Sequence, residues 1–245
     1  MEKNESVFVP GRKLSLSASI RKRQQEGWFP VISEIKVRSD KEGDLLRGRD
    51  PVALAREMAQ RPVAGISVVT ERFHFGGQMG LLRAVAAAVD LPVLHKDFIT
   101  TERQIEESAT GGSSAVLLIA AMMETELMIR LIAEARRYGL ETLVEAHNIA
   151  EIEKIEQLDF DLVGINNRDI TIFEVDDSDV GRTEELARFC KGRRPLISES
   201  SISTAAEVRR AGKSGADAVL VGTAILQANR IADILAELTS VGWPV

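Results

Sequence analysis

Short runs of Val, Ile and Leu recur along the chain about every 26 residues, and helix-compatible amphipathic stretches lie between them. The runs are Pro30–Lys36, Gly65–Thr70, Pro92–Lys96, Ala115–Ile119, Glu141–Glu145, Asp161–Asn166, Pro195–Glu199 and Ala216–Val221. They are apolar without clean alternation, which is the pattern of parallel strands covered by helices. Helix starts lie between them. Asp50-Pro51 ahead of Val52-Ala53-Leu54-Ala55 reads as an N-cap with proline at the first helical position. Thr101-Glu102-Arg103-Gln104 and Ser203-Thr204-Ala205-Ala206-Glu207 also read as helix starts, and Gly139 sits where a helix should stop before the fifth run.

Eight strand-then-helix units in succession predict an α/β fold, a closed (β/α)8 TIM barrel over residues 30–245. An open doubly wound sheet is less favoured, because no Gly-x-Gly-x-x-Gly follows the first strand. Residues 1–29 contain a basic, helix-compatible piece from Ser15 to Gln25 and are expected to pack on the barrel as a short extension. No linker or low-complexity segment divides the chain.

The ends of the runs are polar. In Val31-Ile32-Ser33-Glu34-Ile35-Lys36 the carboxylate and the ammonium stand two residues apart, so a strand points both to one face. Burying two charges there costs several kcal/mol unless each is paired or has a task. The other ends carry Lys96, Glu145, Asn166 and Glu199. Any one of these can be an ordinary structural ion pair. In a barrel all would converge on one mouth, with carboxylates and ammonium groups equipped for proton transfer without a metal. Ser198-Glu199-Ser200-Ser201 after the seventh run and Val221-Gly222-Thr223-Ala224 after the eighth occupy the positions where barrels bind phosphate, although Gly222 alone would mark only a tight turn.

Other residues weigh less. His74, His95 and His147 show no metal-ligand spacing and read as surface or supporting residues. Phe73, Phe75 and Phe98 are either core or the walls of a pocket for a flat aromatic substrate. Cys190 has no motif around it and reads as packing.

Composition narrows the field. At 245 residues, 44% hydrophobic and 28% charged, the chain can bury one large core. A net charge of -6 gives no reason to expect nucleic acid or an anionic membrane. A single cysteine excludes an intrachain disulfide and suits a reducing compartment. The apolar run Ala115–Met123 is too short to span a bilayer, and the polar start Met1-Glu2-Lys3-Asn4-Glu5 is unlike a signal peptide. The expected location is the cytoplasm.

The chain resembles indole-3-glycerol phosphate synthases in Glu34-Ile35-Lys36, in Ser67-Val68-Val69-Thr70 with Phe75-Gly76-Gly77, and in Leu94-His95-Lys96-Asp97-Phe98-Ile99. The resemblance continues through Leu117-Leu118-Ile119, Leu143-Val144-Glu145-Ala146-His147, Gly164-Ile165-Asn166-Asn167-Arg168-Asp169, Ser198-Glu199-Ser200 and Leu220-Val221-Gly222. It implies ring closure of 1-(2-carboxyphenylamino)-1-deoxyribulose 5-phosphate with loss of carbon dioxide and water. By that resemblance Lys96 is the general acid at the ribulose carbonyl, and Glu145 is a general base or stabiliser of the cationic intermediate. Lys36 holds the substrate carboxylate and is a candidate acid for loss of the hydroxyl, while Glu34, Asn166, Glu199 and Ser200 complete the polar ring. Phe75, Phe98, Leu117, Ile170 and Leu220 match positions that wall the anthranilate ring. Ser39, Gly222 and Thr223 match phosphate contacts, joined by Ser201, and Arg168 matches a supporting ion-pair residue. No metal or other cofactor is implied. The expected partner is the phosphosugar substrate alone, and the expected state is a monomer or a weak dimer.

Proton donation at neutral pH would be helped if Lys96 lay among other cations, which would lower its pKa. Three departures from the family pattern bear on phosphate. Ser39-Asp40-Lys41 replaces Ser-Pro-Ser, so Asp40 needs an offset from Lys41 or Arg38. Ser201 replaces a glycine and must accept a strained backbone or contribute a hydroxyl. His95 stands where arginine is usual. Two competing readings are another phosphosugar barrel, such as phosphoribosylanthranilate isomerase with its cysteine–aspartate pair, and a non-catalytic barrel that binds a phosphate ligand.

Overall fold

The computed structural model describes residues 14–168, 179–190, 192 and 194–245. Eight parallel strands form a closed barrel. They are β1 (Val31–Ile35), β2 (Gly65–Val69), β3 (Val93–Lys96), β4 (Ala115–Ile119), β5 (Glu141–Ala146), β6 (Leu162–Asn166), β7 (Leu196–Glu199) and β8 (Ala218–Val221). Each pairs with the next, and β1 closes on β8 through Val31–Val219, Ile32–Leu220 and Ser33–Val221. All eight expected runs are strands: Ala115–Ile119 is unchanged, Glu141–Glu145 extends to Ala146, and the others are trimmed at one or both ends. Pro30, Pro92 and Pro195 stand just outside because proline has no N–H for the ladder. Their carbonyls still accept, from Val219, Ile66 and Val163.

Helices cover the outside. Pro51–Ala59 is capped by the Asp50 carboxylate on the Val52 N–H, and Glu102–Thr110 and Ala205–Lys213 open with reciprocal capping boxes, Thr101 with Gln104 and Thr204 with Glu207. Gly139, at φ +66°, ends Thr125–Arg137 ahead of β5. The helix Leu16–Gln25 lies against the opposite end of the barrel from the C-terminal strand ends. Leu16 and Ile20 enter the interior cluster of Ile32, Leu94, Leu143, Leu162 and Ile197, while the Glu141 carboxylate accepts from Ser15, Leu16 and Ser17. None of the described helices is long and apolar enough to cross a membrane.

Period two along each strand sets the chemistry. Ile32, Leu94, Leu143 and Ile197 belong to the interior cluster, so the residues two further on, Glu34, Lys96, Glu145 and Glu199, stand on the same face one step nearer the mouth. The run pattern does not show one element. After β1 the two-residue arms Arg38–Ser39 and Gly43–Asp44 pair as an antiparallel ribbon beside the mouth.

Candidate active site

The C-terminal strand ends surround a cleft of about 330 Å³. Four charged side chains fill its floor: Glu34, Lys96, Glu145 and Glu199. Lys96 Nζ donates to Glu199 Oε2 at 2.8 Å and lies 3.8 Å from Glu34 Oε2 and 3.9 Å from Glu145 Oε2. Lys36, nearly buried, lies 3.5 Å from Glu34 Oε1, donates to Thr223 Oγ1 at 3.4 Å, and stands 5.7 Å above the Phe75 ring centre. Lys36 and Lys96 therefore share Glu34 as a common carboxylate on one floor.

The surroundings of Lys96 do not lower its pKa, as a company of cations would. Burial works against its charge, but Glu199, Glu34 and Glu145 outweigh burial and hold the ammonium above the ordinary lysine value. Lys96 is thus a firmly protonated donor. The carboxylates divide in turn. Burial lifts Glu199 toward neutrality against the pull of Lys96, helped by the charges of Glu145 and Glu34. Burial also pushes Glu145 up, but His147, Lys96 and Asn166 more than reverse it and keep Glu145 well below the ordinary carboxylate range. Two carboxylates in one mouth are therefore shifted in opposite directions, the arrangement that separates an acid from a base.

Two glycines make room for these groups. A β-carbon at Gly222 would lie 2.6 Å from Glu34 Oε1, and one at Gly164 would lie 2.2 Å from Glu199 Oε1. Glu71, buried just past β2, accepts the backbone N–H groups of Phe73, His74 and Phe75 and so fixes the loop that presents Phe75. Asn167 donates to the carbonyls of Glu199 and Ser200 and to Ser198 Oγ, while its oxygen accepts from Thr183. It ties down a turn in which Ser200 and Ser201 take φ of +68° and +56°. Ser201 has thus accepted the left-handed backbone that favours glycine. Glu71 carries no local motif, and Gly164 and Asn167 stand in the family-like stretch Gly164–Asp169 without being singled out as site residues. Their roles come from neighbours brought in by the barrel.

Most residues singled out in the sequence meet here. Glu34, Lys36, Phe75, Lys96, Phe98, Leu117, Glu145 and Asn166 line the cleft, as do Arg168, Ser200, Ser201, Leu220, Gly222 and Thr223. Glu199 lies behind Lys96, fully buried. Ser39 does not line the cleft, and its hydroxyl accepts the Glu42 N–H inside the ribbon turn. Ile170 lies outside the described residues. Lys41, not singled out as a site residue, lines the cleft with Gln227, whose amide donates to Glu42 at 2.7 Å. Asp40 lies 3.0 Å from His74 Nδ1, and the Arg38 guanidinium donates to the Phe73 carbonyl. His95 is buried between Thr70 Oγ1 and Ser108 Oγ, each at 2.6 Å. Among the described residues, no group of three or more His, Cys, Asp or Glu is placed to hold a metal ion.

Comparison with known proteins agrees with this arrangement. The family model for indole-3-glycerol phosphate synthase matches residues 3–238. An indole-3-glycerol phosphate synthase of Pyrococcus furiosus is 42% identical over 220 residues, covering 90% of this chain and 94% of that protein. One of Thermococcus kodakarensis is 39% identical over 226 residues (92% and 97%), and one of Streptococcus pneumoniae 36% over 229 (94% and 88%). Among solved structures, an N-acetylmannosamine-6-phosphate 2-epimerase from Clostridium perfringens superposes with a TM-score of 0.63 at 18% identity over 80% of this chain and 87% of its own. That likeness concerns the fold alone.

Proposed function

The chain belongs to the indole-3-glycerol phosphate synthase family, carboxy-lyases of tryptophan biosynthesis, and from that premise we propose how its strand ends divide the work. The substrate is 1-(2-carboxyphenylamino)-1-deoxyribulose 5-phosphate. Its aryl carbon attacks the ribulose carbonyl, carbon dioxide leaves the ring, and loss of water completes the indole.

Lys96 donates the proton to the carbonyl oxygen as the new carbon–carbon bond forms. The observation that carries this reading is the place of Lys96 on the cleft floor, where Glu199, Glu34 and Glu145 hold its ammonium 2.8, 3.8 and 3.9 Å away and fix it toward the carbonyl oxygen. Glu199, drawn toward its protonated form 2.8 Å away, returns a proton to Lys96. Glu145 stays ionised beside the cationic intermediate and takes up the proton lost from the methylene carbon of the new ring as the hydroxyl departs. Lys36 holds the substrate carboxylate and supplies the acid for departure of the hydroxyl. Phe75, Phe98, Leu117 and Leu220 wall the ring, and Ile170 joins them by resemblance. The phosphate lies against Ser201, Gly222 and Thr223, with Lys41 and Arg168 as nearby cations and Ser39 holding the ribbon turn. Such acid–base groups account for about 10²–10⁴ each in rate.

The partner we propose is the small phosphosugar substrate, with the chain acting as a monomer or a weak dimer. The acidic balance and lone cysteine suit the cytoplasm and disfavour a nucleic-acid partner. The isomerase reading has no support at the mouth. Cys190 packs in the helical layer, and burial with the Glu156 charge lifts its thiol to about 11. The test is to give the purified protein the carboxyphenylamino ribulose phosphate. Indole fluorescence should rise with one carbon dioxide released per product. Binding with no product over long incubation would overturn the proposal in favour of a non-catalytic barrel.

A further inference from the structure

His147 follows β5 directly and is buried, although it belongs to neither the acid–base set nor the cleft wall. Its Nε2 lies 3.2 Å from Glu145 Oε1 and its Nδ1 3.1 Å from Glu151 Oε2, with 5% of the side chain exposed. The backbone N–H of His147 donates to the same Glu151 oxygen at 2.8 Å, and Asn148 Nδ2 donates to the other at 2.6 Å. Glu151 sits in the first turn of the helix Ile149–Ile155, so the imidazole is gripped from a rigid element outside the mouth. From the helix Gly181–Leu186, Arg182 donates to the His147 carbonyl at 3.3 Å. On the other side, Glu145 faces Lys96 from β3 and Asn166 from β6. Glu145 Oε2 and His147 Nε2 are both buried with no hydrogen-bond partner among the described residues, so the 3.2 Å approach of Nε2 to Glu145 Oε1 is an ion-pair contact, and Glu145 lines the cleft. One carboxylate oxygen thus faces the imidazole from behind, while the other faces the cleft with Lys96 3.9 Å away.

We propose that His147 is a positioning residue for the ring-closing reaction, an imidazolium clamped between Glu145 and Glu151 that fixes the Glu145 carboxylate toward the substrate. The inference rests on the role assigned to Glu145 above. Burial opposes charge on the imidazole, but the two carboxylates prevail and lift it to about 9, so the cation persists through neutral pH. Without that cation Glu145 would keep only Lys96 as a charged partner, shared with Glu199 and Glu34.

The test compares the full chain with His147→Gln, which keeps an amide donor and removes the charge, and with Glu151→Gln, which loosens the outer anchor. Steady-state kcat and KM are measured across pH. In the parent, kcat should stay level down to about pH 5. In His147→Gln, kcat should fall about tenfold or more at neutral pH with KM within about threefold, and its acid limb should move up by about one pH unit or more. Glu151→Gln should shift the limb the same way by less, and it serves as the readout should His147→Gln not fold. An acid limb that stays in place, whatever the loss in kcat, would assign His147 a merely structural role and overturn the proposal. Absence of product from the parent chain would instead overturn the assigned reaction.

Discussion

Gly164 of β6 and Glu199 of β7 occupy one space inside the barrel: a β-carbon at 164 would stand 2.2 Å from Glu199 Oε1. The missing side chain is what allows a fully buried carboxylate to reach Lys96 at 2.8 Å. Gly164→Ala should therefore push Glu199 off that hydrogen bond. We expect kcat to fall at least about tenfold and stability to drop by about 1–3 kcal/mol, the usual cost of overpacking. Product fluorescence and urea unfolding read the two effects. An alanine variant with parental kcat would show that Glu199 does not need its present position.

Ser201 carries a backbone strain that glycine would not, with φ at +56° beside Ser200 at +68°. Ser201→Gly should stabilise the protein by about 1 kcal/mol and raise Tm by about 2–4 °C. Calorimetry measures this directly. An unchanged or lower Tm would mean that the serine hydroxyl offsets its own backbone cost.

Lys41 stands at the cleft rim on the ribbon turn, near Gly222 and Thr223. As an exposed cation facing an anionic ligand, it acts on binding more than on chemistry. Lys41→Ala should raise KM by about three- to tenfold, roughly 1 kcal/mol, with kcat within about twofold. The salt dependence of KM should weaken in the variant, because a screened attraction has been removed. A change confined to kcat would place Lys41 elsewhere in the mechanism.

His147 also links stability to pH. Its folded value of about 9 lies above the ordinary 6.5, because Glu145 and Glu151 prevail over burial. Between those values the folded chain holds a proton that the unfolded chain has released. The contribution is therefore complete below about pH 6.5, declines as pH rises, and is lost above about pH 9, worth at most about 3 kcal/mol. Unfolding curves from pH 6 to 10 should show the parent losing this increment and His147→Gln not losing it. Parallel pH profiles would contradict the charged imidazole.

The strands were readable because a barrel strand is covered on both faces, which leaves dense Val, Ile and Leu runs such as Ala115–Ile119. The mouth was readable because Glu34, Lys96, Glu145 and Glu199 interrupt such runs, and burying an idle charge is costly. What surrounds each charge was not readable. The carboxylates expected at the mouth with Lys96 are there, but that three of them crowd it and raise rather than lower its pKa depends on how Glu34, Glu145 and Glu199 reach it from three other strands. Gly164 and Glu199 are adjacent only through strand pairing and stagger. The ribbon at Arg38–Ser39 and Gly43–Asp44 is too short to show a period. His147, a lone histidine in sequence, becomes informative only once Glu151 is folded beside it.

The most direct measurement concerns Lys96, the donor on which the assignment of roles depends. Turnover of the carboxyphenylamino ribulose phosphate is compared between the parent chain and Lys96→Met, with circular dichroism confirming that both are folded. The account predicts a folded variant whose kcat is lower by about 10² or more. A folded Lys96→Met protein that forms product at the parental rate would contradict it.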